Sequence, residues 1–376
     1  MGTRAGLKKE SRCSLKIVHI IRTLLYGGVE HGVMLLAQEQ AVRGHHMRII
    51  SMGEPPESEL VDELARAGVD FVHIPKRGGF NPFLVSPLRR AIAGYDIVHS
   101  YLHLHHYALL AGAGRHRCWI AWIAGGLASR PVRPAEFVTF RLSSRAASHL
   151  VAAAELLTKS HSFRRAFGSR KFEVIPAPVD TEQLTFNSAQ RRMMREELGL
   201  ADAAPLIFNI GRVEAVKDPL RFIAVAREMM GTYPQVPVNF LWVGAGSMLD
   251  AAREASVASR GRIRFLGRVP KVEGFLNAAD ALLMTSHREG VPLTALEARA
   301  NGLPVLAPEF PGLRDLAGKA QDVHLYPCDA TPSEIGARLK EIIATPRKFA
   351  PDEYVLKHCS PSAVADAYEK LYPESQ

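Results

Sequence analysis

Three segments of this 376-residue chain carry residue types and spacings that could hold an anion beside a set of hydroxyls. The first, Asn209-Ile210-Gly211-Arg212-Val213-Glu214-Ala215-Val216-Lys217-Asp218-Pro219, puts two cations directly after an apolar run. Gly211 lets the backbone turn sharply there, and Asp218 followed by Pro219 has the pattern of a helix start. Arg212 and Lys217 at a strand end suit a diphosphate, although alone they are also compatible with surface charge. The second segment, Val243-Gly244-Ala245-Gly246-Ser247, holds a glycine pair. Gly244 and Gly246 permit close approach of a ligand to backbone N–H groups, or simply a tight turn; the full dinucleotide fingerprint is absent.

The third segment begins Glu289-Gly290-Val291-Pro292-Leu293-Thr294-Ala295-Leu296-Glu297. A helix opening at Pro292 leaves Glu289 in the preceding loop and Glu297 about a turn and a half inside. Backbone N–H groups between Gly290 and Thr294 are then free donors with the positive helix end behind them. Carboxylates beside such a site are suited to sugar hydroxyls, which donate well to them. The plainer alternative is one glutamate favouring the helix dipole and one facing solvent. Elsewhere His99, His103, His105 and His106 crowd one strand end. Their spacing matches no standard metal set, and acceptor-side contact or proton handling by His99 or His103 stands beside a purely structural role.

Positioning these groups requires parallel sheets. Strand-length apolar runs fall at 15–20, 47–52, 69–74, 97–101, 119–123, 149–153 and 172–175, then at 206–210, 238–243, 263–266, 281–285, 304–307 and 323–326. Amphipathic helical patterns separate them, including 219–230 and 292–300. Two such series predict an α/β chain of two doubly wound, Rossmann-like domains facing across a cleft. The expected divisions are a tail at 1–14, a first domain at 15–176, a second at 177–358 and a final segment at 359–376. The prolines of Ile175-Pro176-Ala177-Pro178-Val179-Asp180 mark the hinge. Val364, Ala367, Tyr368 and Leu371 give the last helix a face to bury.

Composition narrows the classes. No apolar run reaches the ~18–20 residues of a membrane span. The opening Met1–Ser14 is basic but has no apolar core of signal-peptide length, so secretion is not expected. Four dispersed cysteines fit a reducing compartment. Net charge is +9, unevenly shared: residues 1–175 hold 24 Lys+Arg against 13 Asp+Glu, and residues 176–376 hold 23 against 25. The basic pairs lack interleaved aromatics, which disfavours nucleic acid.

Taken in order, Tyr26-Gly27-Gly28-Val29-Glu30, Gly211-Arg212 with Lys217, Val243-Gly244-Ala245-Gly246, Phe265-Leu266-Gly267, and Glu289 with Glu297 resemble the retaining nucleotide-sugar glycosyltransferases of the GT-B fold, family 4. The resemblance spans nearly the whole chain. It implies that Arg212 and Lys217 neutralise the donor diphosphate as the glycosidic bond breaks, a leaving-group stabilisation that needs no metal. Glu297 would accept from ribose hydroxyls, Glu289 would contact the donor sugar and help fix the loop, and the segment Gly290, Val291, Pro292 and Leu293 would add backbone N–H groups to the diphosphate or sugar. Gly27 and Gly28 would close over the phosphates from the first domain, and the last helix would return to that domain. Many relatives place a histidine where this chain has Ile123-Ala124-Gly125-Gly126, and Asn-Gly where it has Ala177-Pro178.

The resemblance implies an enzyme with no bound cofactor, a UDP-sugar donor ahead of GDP-mannose, and a glycan or lipid-diphosphate acceptor on the first domain. The expected product is a surface polysaccharide or lipopolysaccharide, made in the cytoplasm by an enzyme peripheral to the inner membrane face through its basic first domain. The alternatives are a nucleotide-sugar epimerase or hydrolase of the same fold, and a donor-binding scaffold of weak catalysis.

Overall fold

The computed structural model describes residues 14–101, 104–123, 134–269, 271–345, 347 and 349–373. Among them lie two parallel sheets. In the first, β1 (Lys16–Ile21), β2 (His46–Ser51), β3 (Asp70–His73), β4 (Ile97–Tyr101), β5 (Cys118–Ile123), β6 (His149–Ala152) and β7 (Glu173–Val174) are ordered β3-β2-β1-β4-β5-β6-β7. In the second, β8 (Leu206–Ile210), β9 (Asn239–Val243), β10 (Ile263–Gly267), β11 (Ala281–Leu283), β12 (Val305–Pro308) and β13 (Val323–Tyr326) are ordered β10-β9-β8-β11-β12-β13. In each sheet the order reverses beside the first strand, where open α/β sheets leave a crevice outside the carboxyl ends.

Alternation along the strands builds two cores per sheet. Val18 and Ile20 of β1 join Leu88, Tyr107 and Trp119 on one face, while Ile17 and Ile21 join Val33, Leu36 and Val364 on the other. In the second domain Phe208 packs with Leu296 and Leu313, and Ile207 with Phe222 and Trp242.

The chain crosses between domains twice, and the crossings are tied where Val179 N–H donates to the Cys359 carbonyl at 2.8 Å. After the second crossing, the Pro361–Glu369 helix lies on the Gly28–Val42 helix of the first domain. Arg43 Nη1 bonds Asp366 at 2.7 Å and Glu369 at 2.9 Å, and Gln40 donates to the Tyr372 hydroxyl at 2.6 Å. The tail before Ser14, His103 and Ala124-Gly125-Gly126 lie outside the described residues.

Candidate active site

The cationic corner of the second domain is built by backbone stitching. Gly211 sits at φ +152, its N–H donating to Val243 and its carbonyl accepting from the Trp242 indole at 2.9 Å. Val213 N–H then donates to Ala245 at 3.0 Å. Arg212, between these anchored neighbours, is exposed; its carbonyl accepts from Glu214 N–H at 2.9 Å, and among the described residues its side chain makes no hydrogen bond or close ion pair. Lys217 ends a short helical turn, and Asp218, at φ +50, caps the Pro219–Thr232 helix by accepting from Arg221 N–H at 3.0 Å. A left-handed cap lets the chain reverse there, so that Lys217 faces back toward the cleft.

Lys217 Nζ lies 2.5 Å from Glu289 Oε1, and the Ser286 hydroxyl donates to the same oxygen at 2.6 Å. The Thr285 hydroxyl lies 3.0 Å from both the Lys217 and Asp218 carbonyls, and His287 N–H donates to Val216 at 2.9 Å. The end of β11 thus fastens the 216–218 turn beside Glu289. An ammonium has three protons, so Lys217 can keep its carboxylate and still donate to a phosphate. Glu289 therefore has a second part beyond the sugar contact implied earlier: it holds the lysine.

Gly244 and Gly246 are pressed by their own domain. A Cβ on Gly244 would lie 2.0 Å from the Gly211 carbonyl oxygen, and one on Gly246 would lie 2.3 Å from that of Val213. The close approach these glycines permit in this structure is of the backbone that carries Arg212. Similarly, a Cβ on Gly312 would meet the Gly290 carbonyl oxygen at 2.1 Å. Gly312 therefore seats the loop Glu289-Gly290-Val291 from behind.

Pro292 precedes the Leu293–Ala300 helix, and among the described residues no side-chain cap bond closes that end. Gly27 precedes the Gly28–Val42 helix, likewise without a side-chain cap. The two uncapped ends, one from each domain, meet where a Cβ on Gly28 would lie 3.2 Å from Leu293 Cδ1. Each end offers orphan N–H donors and partial positive charge. One turn further in, Glu297 is 9% exposed; burial raises its carboxyl above the ordinary value, and His31 of the first domain opposes that rise.

One expectation needs correction. His99 is fully buried, with Nε2 on the Tyr372 hydroxyl at 3.0 Å and its ring against His19 and Tyr368. It lies under the returning C-terminal segment, so an acceptor contact from His99 is not available in this structure. Burial lowers its pKa well below the ordinary histidine value. Among the described residues no group of His, Cys, Asp and Glu could hold a metal ion, and no helix is long and apolar enough to cross a membrane.

Thr285 and Ser286, which close the strand before Glu289, contribute as well, as do Gly312 and His31. Two adjacent hydroxyls at a strand's carboxyl end, just before Glu289, were a readable signal. Nothing local to Gly312 or His31 marks them.

Residues 26–183 match the family described as Glycosyltransferase Family 4, and residues 204–345 match Glycosyl transferases group 1. A D-inositol 3-phosphate glycosyltransferase of Nocardia farcinica is 26% identical over 331 residues, covering 76% of this chain and 70% of that protein. Its namesake from Xylanimonas cellulosilytica is 26% identical over 355 residues, covering 79% and 80%. Among solved structures, a glycosyltransferase from Rickettsia africae superposes with TM-score 0.76 at 16% identity, over 96% of this chain and 98% of that one. Anabaena HepE in complex with UDP and glucose superposes with TM-score 0.74 at 17% identity, over 95% and 98%. With both family matches in chain order, one on each parallel sheet, and the same two-domain architecture throughout, the chain belongs to the family 4, group 1 glycosyltransferases of the GT-B fold.

Proposed function

We propose that this glycosyltransferase moves a hexose or N-acetylhexosamine from a nucleotide sugar to an acceptor held on its first domain, with retention of configuration. The observation that carries the reading is the Lys217–Glu289 pair, on the loop that leads into the helix end meeting Gly28, together with the exposed Arg212, whose side chain makes no hydrogen bond among the described residues. As the glycosidic bond breaks, charge develops on the departing diphosphate. Fixed donors aimed at it lower the barrier because they need no reorganisation. Glu297 takes ribose hydroxyls as an acceptor, which requires it ionised. Retention without an assigned nucleophile fits a front-face route, in which the leaving phosphate takes the acceptor's proton; an inverted anomeric product by NMR would refute it.

UDP-sugars are the first donors to test and GDP-mannose the next. A panel of UDP-, GDP- and ADP-sugars, assayed for binding, hydrolysis and transfer with Lys217→Ala and Glu297→Ala as controls, tests the reading. Binding without turnover by the unaltered chain would favour a scaffold instead.

For the acceptor, the positive first half suits an anion. A lipid-diphosphate acceptor of surface polysaccharide or lipopolysaccharide synthesis, reached by a cytoplasmic enzyme resting on the inner membrane face, is the reading we favour. Exposed Phe83 adjoins the Val85–Ile92 helix that carries Arg89 and Arg90, and exposed Val138 and Leu142 share the Pro134–Ala146 helix with Arg141 and Arg145; both helices pack on the His105–Ala111 helix between them. The relatives named for D-inositol 3-phosphate favour a second reading, a soluble phosphorylated polyol, which uses the same positive surface without a membrane.

A further inference from the structure

Beside the Gly28–Leu293 contact, the two domains also touch through a charged cluster. Arg268 follows Gly267, whose φ of +82 turns the chain outward and whose carbonyl accepts from Gly244 N–H at 2.8 Å. Arg268 therefore stands at the rim of the same strand ends that carry Arg212. Its guanidinium reaches into the first domain, with Nη1 2.7 Å from Glu57 Oε1 and Cζ 4.9 Å from the centre of the Tyr26 ring. Tyr26, immediately before Gly27 and Gly28, gives its hydroxyl to Glu59. Glu57 is fixed in turn by its N–H on the Leu24 carbonyl at 3.0 Å. Both partners of Arg268 are thus anchored to the loop that leaves β1.

We propose that Arg268, Glu57 and Tyr26 form an interdomain clasp at the mouth of the donor cleft, and that Arg268 and Tyr26 are positioning residues which set the Gly27-Gly28 loop over the diphosphate. The chemistry suits a reversible fastening. An exposed arginine–carboxylate pair and a cation–π contact are each weak in water. Together they favour the closed arrangement by roughly three- to tenfold, enough to bias closure without preventing donor entry. Arginine suits the task because its planar cation can stack on a ring and pair with a carboxylate at once. The link to turnover rests on the donor-cleft reading given above, whereas the domain arrangement can be measured without it.

The test uses the full chain with Arg268→Glu, Glu57→Arg and the charge-swapped double variant. Small-angle X-ray scattering without nucleotide reads domain separation, and calorimetry with UDP reads the site. Each single reversal should raise the radius of gyration and weaken UDP binding about three- to tenfold, with the thermal midpoint kept within about 2 °C. The double variant should return both readings to within twofold of the parent, which a purely local structural role would not do. Single reversals that leave scattering unchanged, or a double variant no closer to the parent than the singles, would overturn the clasp. If UDP does not bind the unaltered chain, the donor reading fails, and the scattering result still decides the clasp.

Discussion

Gly28 of the first domain faces Leu293 of the second so closely that an added Cβ would lie 3.2 Å from the leucine Cδ1. The absence of a side chain at Gly28 is thus a property of the domain interface, while its backbone is ordinary helix. Gly28→Ala should leave the thermal midpoint unchanged or slightly higher, since alanine favours helix. Gly28→Leu should wedge the two helix ends apart and cut transfer by about 100-fold, the scale of an ångström misplacement. Parallel melting curves and steady-state transfer rates separate the two effects; a Gly28→Leu variant with parental activity would sink the interface argument.

Lys217 and Glu289 should prove coupled in stability but not in catalysis. Lys217→Met strands a carboxylate whose side chain is only 9% exposed, at a cost of about 1–3 kcal/mol. Glu289→Gln in the same chain should recover part of that loss, because no unpaired charge remains. Turnover should not recover: loss of a preorganised cation costs about 10²–10³ in kcat. A double-mutant cycle in urea, set beside transfer kinetics, checks both halves.

Glu297 should oppose stability at neutral pH while serving the donor. Burial raises its folded-state pKa, so between the ordinary carboxylate value and the raised one the folded state holds more protons than the unfolded state. Stability therefore falls as pH rises through that window. Glu297→Gln should raise the thermal midpoint at pH 7.5 by about 1–4 °C and weaken nucleotide-sugar binding. A variant less stable than the parent at that pH would contradict the assignment.

Acid should loosen the first domain from inside. His19 is buried between Gln40 and Tyr101, at 2.9 and 3.0 Å, and burial lowers its pKa to about 4. Between about pH 6.5 and pH 4 the unfolded state then binds the extra proton, so stability drops as pH falls, by about 3 kcal/mol across the window. His19→Gln should flatten that slope in chemical denaturation at a series of pH values. An equally steep slope in the variant would assign the acid sensitivity elsewhere.

Flotation with liposomes decides the membrane reading. Vesicles containing anionic lipid should carry the chain upward and neutral vesicles should not, with binding lost in high salt. Phe83→Ser with Leu142→Ser should weaken the association severalfold without changing transfer to a soluble acceptor. Equal recovery on neutral and anionic vesicles would remove the proposed surface.

Most of the architecture was legible because it repeats a local rule. Runs such as Leu206-Ile207-Phe208-Asn209-Ile210 are mostly apolar, rich in β-branched and aromatic residues and buried on both faces, and strand boundaries shifted by only a residue or two. The 281–285 run shortened to Ala281–Leu283, and beyond it the Thr285 hydroxyl engages the Lys217 turn. At the site, Lys217 and Glu289 could be read as individual residues, but their pairing could not, since 72 residues separate them. Gly244 and Gly246 announced a close approach without saying of what. His99 misled for the opposite reason: its neighbourhood reads as polar, and the segment that covers it lies 273 residues away.

That distance has a consequence for how the protein is made. The face formed by Ile17, Val33 and Leu36 is made early and is completed only by Val364 and Tyr368, which follow the whole second domain. Arg43 waits 323 residues for Asp366. The domain synthesised first is therefore closed by a segment made after the second, and its apolar flank stays open until that segment arrives.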